Sequence, residues 1–231
     1  MKGAGVVRRL ARTLRLGTLL PLATTVRLYG GTDKGSHGYV PHYVRHLHGR
    51  RWRRQRVLEI GVGGYESSVP GGSLCVWRDT LPTSTVVGMD LHAKQVHLGR
   101  RVRFSQGDQS DGADLTRAVQ ALGGPPDVVI DDGSHLAEHA EASFRHLFPL
   151  MPPGSLYVIE DVHSSYWPHM GGGIPAPATT AIGWTKTLID DVQVLDGTFA
   201  KKAKWGPPPT AEVADVGAVH VYPGIVFIEK A

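Results

Sequence analysis

Short, nearly continuous apolar runs begin at Arg56, Thr85, Val102, Asp127 and Leu156. Runs of this kind, bounded by glycine, proline and acidic residues, predict buried parallel strands. Helical spacing fills the intervals. Tyr39, Tyr43 and Leu47 repeat along one face, as do Leu74, Trp77 and Leu81, and helices are expected over 115–122, 137–150 and 181–192. Two last apolar stretches, 216–222 and 225–230, flank Pro223-Gly224, a tight-turn signal. The alternation predicts an α/β domain with a mostly parallel sheet that ends in an antiparallel hairpin.

The first residues follow a different rule. Arg8, Arg9, Arg12 and Arg15 stand among Val6, Val7, Leu10, Leu14, Leu16, Leu19 and Leu20, the pattern of a basic amphipathic helix. Residues 1–29 are therefore expected to form an arm ahead of a domain over 30–231. The arm is expected to pack on its own domain or on a second subunit, as in a dimer; weak contact with an anionic membrane is the competing reading. A signal peptide fits less well, because the apolar stretch is short and broken by proline.

Charge follows the same boundary. Residues 1–56 carry 13 Lys/Arg against one acid, Asp33, whereas residues 57–231 carry 12 against 20. The net +4 of the 231-residue chain thus conceals a basic start and an acidic remainder. Basic residues are not interleaved with aromatics as in single-strand binders, so nucleic acid is not an expected partner. The single cysteine, Cys75, excludes an internal disulfide framework and fits a reducing, cytoplasmic setting. No apolar run approaches membrane-spanning length.

Candidate chemistry gathers where the runs end. Residues 56–64 read R-V-L-E-I-G-V-G-G. Glycines there let the backbone approach a ligand while the next helix aims its N-terminus at it. The spacing differs from the dinucleotide fingerprint G-x-G-x-x-G. It matches the first motif of class I S-adenosylmethionine methyltransferases, which makes Glu59, Gly61 and Gly63 cofactor candidates. Asp90 ends the next run, where an acid accepts hydrogen bonds from a ribose. Asp108 and Gln109 follow the third run and would face an adenine; a helix N-cap is the other role open to Asp108.

Residues 127–135 read D-V-V-I-D-D-G-S-H, and a later run ends in Glu160-Asp161. Adjacent strands lie about 5 Å apart, so these acids can converge on one point. Clustered buried carboxylates repel one another unless a cation is present. The expectation is a divalent metal with His135 beside it as a base. All-oxygen ligands suit Mg²⁺ and argue against zinc. His42, His46 and His48 offer a conceivable three-histidine site, although a solvated helix face explains them more simply. The long loop 162–180 displays His163, Tyr166 and Trp167, whose flat rings suit a sugar or serve as loop anchors.

Taken together, G-T-D-K-G-S at 31–36, V-L-E-I-G-V-G-G-Y at 57–65, G-D-Q-S-D at 107–111, D-D-G-S-H at 131–135 and E-D-V-H-S-S-Y-W at 160–167 resemble the metal-dependent sugar O-methyltransferases of actinobacterial natural-product and glycan pathways. The macrolide deoxysugar enzymes typify that family. In its shortness the chain looks more like the mycobacterial methylmannose polysaccharide 1-O-methyltransferases. The resemblance implies a class I, Rossmann-like seven-stranded sheet, S-adenosylmethionine held by the glycine turn, Asp90 and Asp108, and Mg²⁺ held by Asp132, Glu160 and Asp161 with His135 as general base. Asp131 either lines the cofactor or orients a metal ligand. The loop 30–37, with Asp33 and Lys34, is expected near the cofactor. The implied acceptor is a sugar hydroxyl of a glycan or glycosylated natural product. A catechol-type O-methyltransferase is the runner-up within the fold, although an asparagine is usual there where this chain has Asp161. A nucleotide-binding dehydrogenase is the alternative outside it.

Overall fold

Each apolar run becomes a strand where the periodicity placed it. The computed structural model describes residues 2–63, 71–194 and 213–231. Its strands are β1 (Arg56–Ile60), β2 (Thr85–Asp90), β3 (Val102–Gln106), β4 (Val128–Asp131), β5 (Leu156–Ile159), β6 (Val216–Tyr222) and β7 (Ile225–Lys230). They form one seven-stranded sheet in the order β3-β2-β1-β4-β5-β7-β6. The first five are parallel, and β7 runs antiparallel to both β5 and β6. The order reverses direction at β1, next to β4. Open α/β sheets hold ligands at such a switch point, outside the carboxyl ends of the strands.

Helices cover both faces. Helices α2 (Leu22–Tyr29), α3 (Val40–Leu47) and α4 (Ser73–Thr80) bury Val26, Tyr29, Tyr43, Leu47, Leu74 and Trp77 against one face. Helices α5 (Gly112–Leu122), α6 (Ala137–Leu147), α7 (Ala181–Thr185) and α8 (Thr187–Val194) bury Leu115, Ala118, Phe144, Leu147, Trp184 and Leu188 against the other. Three elements differ from expectation in extent, the first being the helix expected over 137–150, which ends at Leu147 and passes into a 3₁₀ turn over Phe148–Leu150. Helix α5 begins at Gly112 rather than 115, because the Asp111 side chain accepts a hydrogen bond from Ala113 N and caps the first turn. The helix expected over 181–192 is two short ones, α7 and α8.

The arm is two helices, α1 (Lys2–Thr13) and α2, separated by a 3₁₀ turn and Pro21. Its basic side faces the protein. Arg12 donates to the carbonyls of Tyr29 (2.8 Å) and Gly30 (2.6 Å), and Arg15 Nε lies 3.0 Å from Asp79 Oδ1. Tyr29, fully buried, donates its hydroxyl to the other Asp79 oxygen at 2.7 Å. The apolar Val6, Val7, Leu10 and Leu14 are left exposed. Periodicity gave the helix but not its orientation, which buried carbonyls and Asp79 decide. No described helix is long and apolar enough to cross a membrane. The basic, proline-rich stretch 201–209 and the last glycine of the turn, Gly64, lie outside the described residues.

Candidate functional site

Strand register brings the site together. Ile60 lies opposite Asp131, and Asp131 opposite Ile159. The residues that follow these strands, Gly61, Asp132 and Glu160, therefore emerge side by side at one end of the sheet. Gly61 has φ +79°, and a Cβ there would sit 1.9 Å from the Asp132 carbonyl oxygen. Only glycine lets β1 turn away this close to β4.

A cavity of about 600 Å³ opens over this edge. Gly61 and Gly63 wall it from β1, Asp90 and His92 from β2, and Gly107, Asp108 and Gln109 from β3. Gly31, Thr32 and Asp33 close it from the loop before α3, Asp132, Ser134 and His135 from the turn after β4, and His139 from the first turn of α6. The polar groups are held in place. Asp90 accepts from Val62 N (3.2 Å) and His92 N (2.9 Å). Asp108 accepts from the Ser110 backbone (2.8 Å) and hydroxyl (2.7 Å), bonds that hold its carboxyl below the usual range. Its role is thus a turn within the cavity wall, while the cap of α5 falls to Asp111.

Two expected cofactor residues lie behind that wall. Asp131 is buried and faces away from the cavity. It accepts from Gln109 Nε2 (3.0 Å), Ser143 (2.6 Å) and Tyr157 (3.2 Å). Burial pushes its carboxyl up, opposed by those three donors. Gln109, fixed by Asp131, accepts from Ser134 N at 2.7 Å and so sets the turn that carries His135. Asp131 therefore positions the wall rather than lining it. Glu59, fully buried, faces Lys34 instead of the cavity.

Beside the cavity lies the acidic cluster, and Lys34 sits at its centre. This lysine is only 2% exposed, yet its ammonium lies 2.8 Å from Asp132 Oδ2, 2.8 Å from Glu160 Oε1 and 3.3 Å from Glu59 Oε1. Burial opposes the Lys34 charge, but Glu160, Asp132 and Glu59 outweigh it and raise the ammonium well above its usual value. One cation does not balance the set. Burial, only partly offset by Lys34, pushes Glu160 up to about 8 and raises Asp132 and Glu59 as well.

Two tyrosines at α3 complete the frame. Tyr43 donates to the same Glu160 oxygen that Lys34 contacts, and Tyr39 donates to Asp161 Oδ1 at 2.6 Å. The second Asp161 oxygen lies 3.5 Å from His135 Nε2. Both residues sit in left-handed backbone, Asp161 at φ 54° and His135 at φ 58°. Non-glycine residues adopt that region at a cost, and such strain concentrates at functional sites.

Asp132, His135 and Asp161 present ligand atoms that all lie within 4.8 Å of one another. Their carboxylate oxygens, together with the unbalanced charge, fit a hard divalent cation. Glu160, expected with them, is instead turned toward Lys34 and Tyr43. His163 Nδ1 lies 4.0 Å from Asp161 and packs its ring against Trp167 at 4.7 Å. Trp167 and Tyr166 are exposed outside the cavity. Asp33 lines the cavity, and Lys34 lies beneath it. His37, whose Nδ1 lies 3.4 Å from Asp161 Oδ1, was absent from the expected site, as were Tyr39 and Tyr43. Their signal was the loop T-D-K-G-S-H-G-Y running directly into a helix, with tyrosines spaced i, i+4 on its inner face.

No family model matches the chain. It is 38% identical to an 8-demethyl-8-α-L-rhamnosyl tetracenomycin-C 2'-O-methyltransferase of Streptomyces olivaceus, over 93% of this chain and 56% of that protein. It is 40% identical to mycinamicin VI 2''-O-methyltransferase of Micromonospora griseorubida, over 84% of this chain and 48% of that one. The solved structure of the MycE methyltransferase from mycinamycin biosynthesis, in complex with Mg, SAH and mycinamycin VI, superposes with a TM-score of 0.69 at 39% identity, covering 84% of this chain and 49% of that one. The chain thus spans about half the length of the curated relatives it matches. Sequence and fold agree in what the chain is similar to: the sugar O-methyltransferases that these relatives represent.

Proposed function

We propose that this chain transfers a methyl group from S-adenosylmethionine to a hydroxyl of a sugar borne on a natural product or glycan, with Mg²⁺ as cofactor. The observation that carries the reading is the pairing of two sites at one sheet edge. A glycine-walled cavity with Asp90 and Asp108 adjoins Asp132, His135 and Asp161. The relatives named above are O-methyltransferases of sugar-bearing compounds, and the MycE structure holds Mg and SAH.

In this reading Asp90 takes the ribose hydroxyls, and Asp108 and Gln109 border the base. Bare glycine backbone at 61 and 63 gives the amino-acid end close contact. Asp132 and Asp161 would hold the metal, and Glu160 would join them on turning from Lys34 and Tyr43. Bound there, Mg²⁺ would lower the pKa of a chelated hydroxyl and orient it. His135 Nε2 accepts the proton of that hydroxyl, and Asp161, 3.5 Å away, stabilises the imidazolium that results. The acceptor oxygen forms its bond to the methyl carbon as the carbon–sulfur bond breaks, and the pair of electrons leaves on sulfur as a neutral thioether. His135 then releases its proton to solvent. Tyr39 and Tyr43 fix Asp161 and Glu160. Trp167 and His163 offer the sugar a flat face at the rim. One buried cysteine suits a reducing, cytoplasmic setting.

Methyl transfer from labelled S-adenosylmethionine tests this, using a panel of deoxysugar glycosides, mannosides and catechols, with Mg²⁺ and with chelator. Transfer to a sugar that stops with chelator and returns with Mg²⁺ is expected. His135→Ala should lower the rate about 10²–10⁴-fold while leaving cofactor affinity intact. Transfer to catechols alone would reject the acceptor class. Transfer to a sugar indifferent to chelator would reject the metal.

A further inference from the structure

A second group of metal-binding side chains lies at the other end of the β5–β7 ladder. Strand β7 leaves the acidic cluster at Val226, which pairs with Ile159, and reaches Glu229 opposite Leu156. Across the hairpin, His220 pairs with Phe227, so His220, Phe227 and Glu229 share one face of the sheet. Helix α3 lies on that face and brings His46 down onto it.

The histidines of α3 are therefore not the solvated face their sequence suggested. The His46 side chain is only 6% exposed and stacks on Phe227, centroids 4.3 Å apart. His42, one turn earlier, stacks on Tyr222 at 3.9 Å. His48 points into solvent.

His46 Nδ1 lies 3.5 Å from Glu229 Oε1, and His220 Nε2 lies 3.2 Å from the same oxygen. One ligand atom from each of the three residues falls within 4.8 Å of the others. Bonds of about 2.0–2.2 Å to a tetrahedral ion place neighbouring donors about 3.3–3.5 Å apart. The two His–Glu separations, 3.5 and 3.2 Å, fall within or about 0.1 Å short of that range. The remaining nitrogen of His46 is hydrogen-bonded to the Tyr222 hydroxyl at 3.1 Å. Metal-bound histidines are usually held in this way through their second nitrogen. Phe227 locks the same ring from below.

We propose that His46, His220 and Glu229 bind a borderline divalent ion, Zn²⁺ or Co²⁺, with water in the fourth position. Two imidazoles and a carboxylate select such an ion over Mg²⁺, whereas the carboxylate cluster at the other end of the ladder favours Mg²⁺. The ion fastens α3 to the β6–β7 hairpin. Because Tyr39 and Tyr43 stand at the start of α3 and reach Asp161 and Glu160, the clip also steadies the catalytic end of the sheet. The site does not depend on the reaction proposed above.

Untagged protein, with excess Mg²⁺ to fill the carboxylate cluster, would be titrated with Co²⁺ and then with Zn²⁺. One equivalent of cobalt should give the strong visible bands of tetrahedral coordination, and zinc should displace it and raise the melting temperature. His220→Ala and Glu229→Gln, both at half-exposed positions, should each weaken binding by about 10–100-fold or more. His97→Ala, at an exposed histidine elsewhere, should leave it unchanged. Tetrahedral bands that are absent, or that persist undiminished in both variants, would overturn the site. So would a zinc-induced rise in melting temperature of equal size in wild type and both variants.

Discussion

Replacing Lys34 with methionine isolates the electrostatics of the acidic cluster. Methionine nearly preserves the buried volume and deletes the ammonium. At an effective dielectric of about 20, a pair 2.8 Å apart attracts by about 6 kcal/mol and one at 3.3 Å by about 5 kcal/mol. Desolvation returns most of this, so the measurable loss is that of orphaning buried charges, about 3–5 kcal/mol. For a protein of this size, each kcal/mol shifts the melting temperature by about 2–4 °C, and the variant should melt about 6–20 °C lower.

The loss has a definite pH sign. Without Lys34 the folded-state values of Glu160, Asp132 and Glu59 rise further above their unfolded ones. Glu160, already at about 8, marks the window. A carboxyl raised by folding binds more protons in the native state, so stability falls as pH climbs from the unfolded value through the folded one. The penalty should therefore be small near pH 5 and large near about pH 8, and Mg²⁺ should reduce it. Thermal melts of wild type and variant at both pH values, with and without Mg²⁺, read this directly. A variant that melts with wild type at the higher pH, or one hurt more at the lower pH, would refute the role assigned to Lys34.

Other outcomes follow from the same geometry. Gly61→Ala, with φ +79° and a Cβ 1.9 Å from the Asp132 carbonyl, should cost more than about 2 kcal/mol and abolish cofactor binding, read by urea melts and calorimetry; a stable, binding variant would contradict the tight β1 turn. Asp90→Ala should weaken S-adenosylmethionine binding at least about tenfold without altering Mg²⁺ affinity, since a hydrogen bond to a charged group is worth about 1.5–3 kcal/mol. Tyr29, buried beside Asp79, is pushed up to about 12 by desolvation and then by that carboxylate. A hydroxyl raised by folding stabilises below its unfolded value of about 10, and this contribution fades as pH rises from 10 to 12. Wild type should accordingly lose up to about 2–3 kcal/mol relative to Tyr29→Phe across that range, in melts that keep the two proteins paired.

What the chain settles by itself is local and periodic. Continuous apolar runs marked the five parallel strands, because a strand buried on both faces has no polar side to alternate with. Pro223-Gly224 marked the hairpin. The glycines at 61 and 63 and the acids at 90, 132, 160 and 161 were legible because strand ends are where a parallel sheet meets ligands, whatever the packing around them. The family motifs joined these into one chemistry.

Tertiary structure alone decided which partner each polar group meets. Asp131 and Asp132 are neighbours in sequence, yet the two-residue period of a strand sends them to opposite sides. One faces Ser143 and Tyr157, the other Lys34. Lys34 reads as one more loop cation until the fold buries it among three carboxylates drawn from three strand ends. The arm was visible as a helix, but the hydrogen-bonding demand of buried carbonyls and Asp79 drew Arg12 and Arg15 onto the domain. His46 became a packed side chain because α3 lies across β7, a long-range contact that no periodicity along α3 encodes.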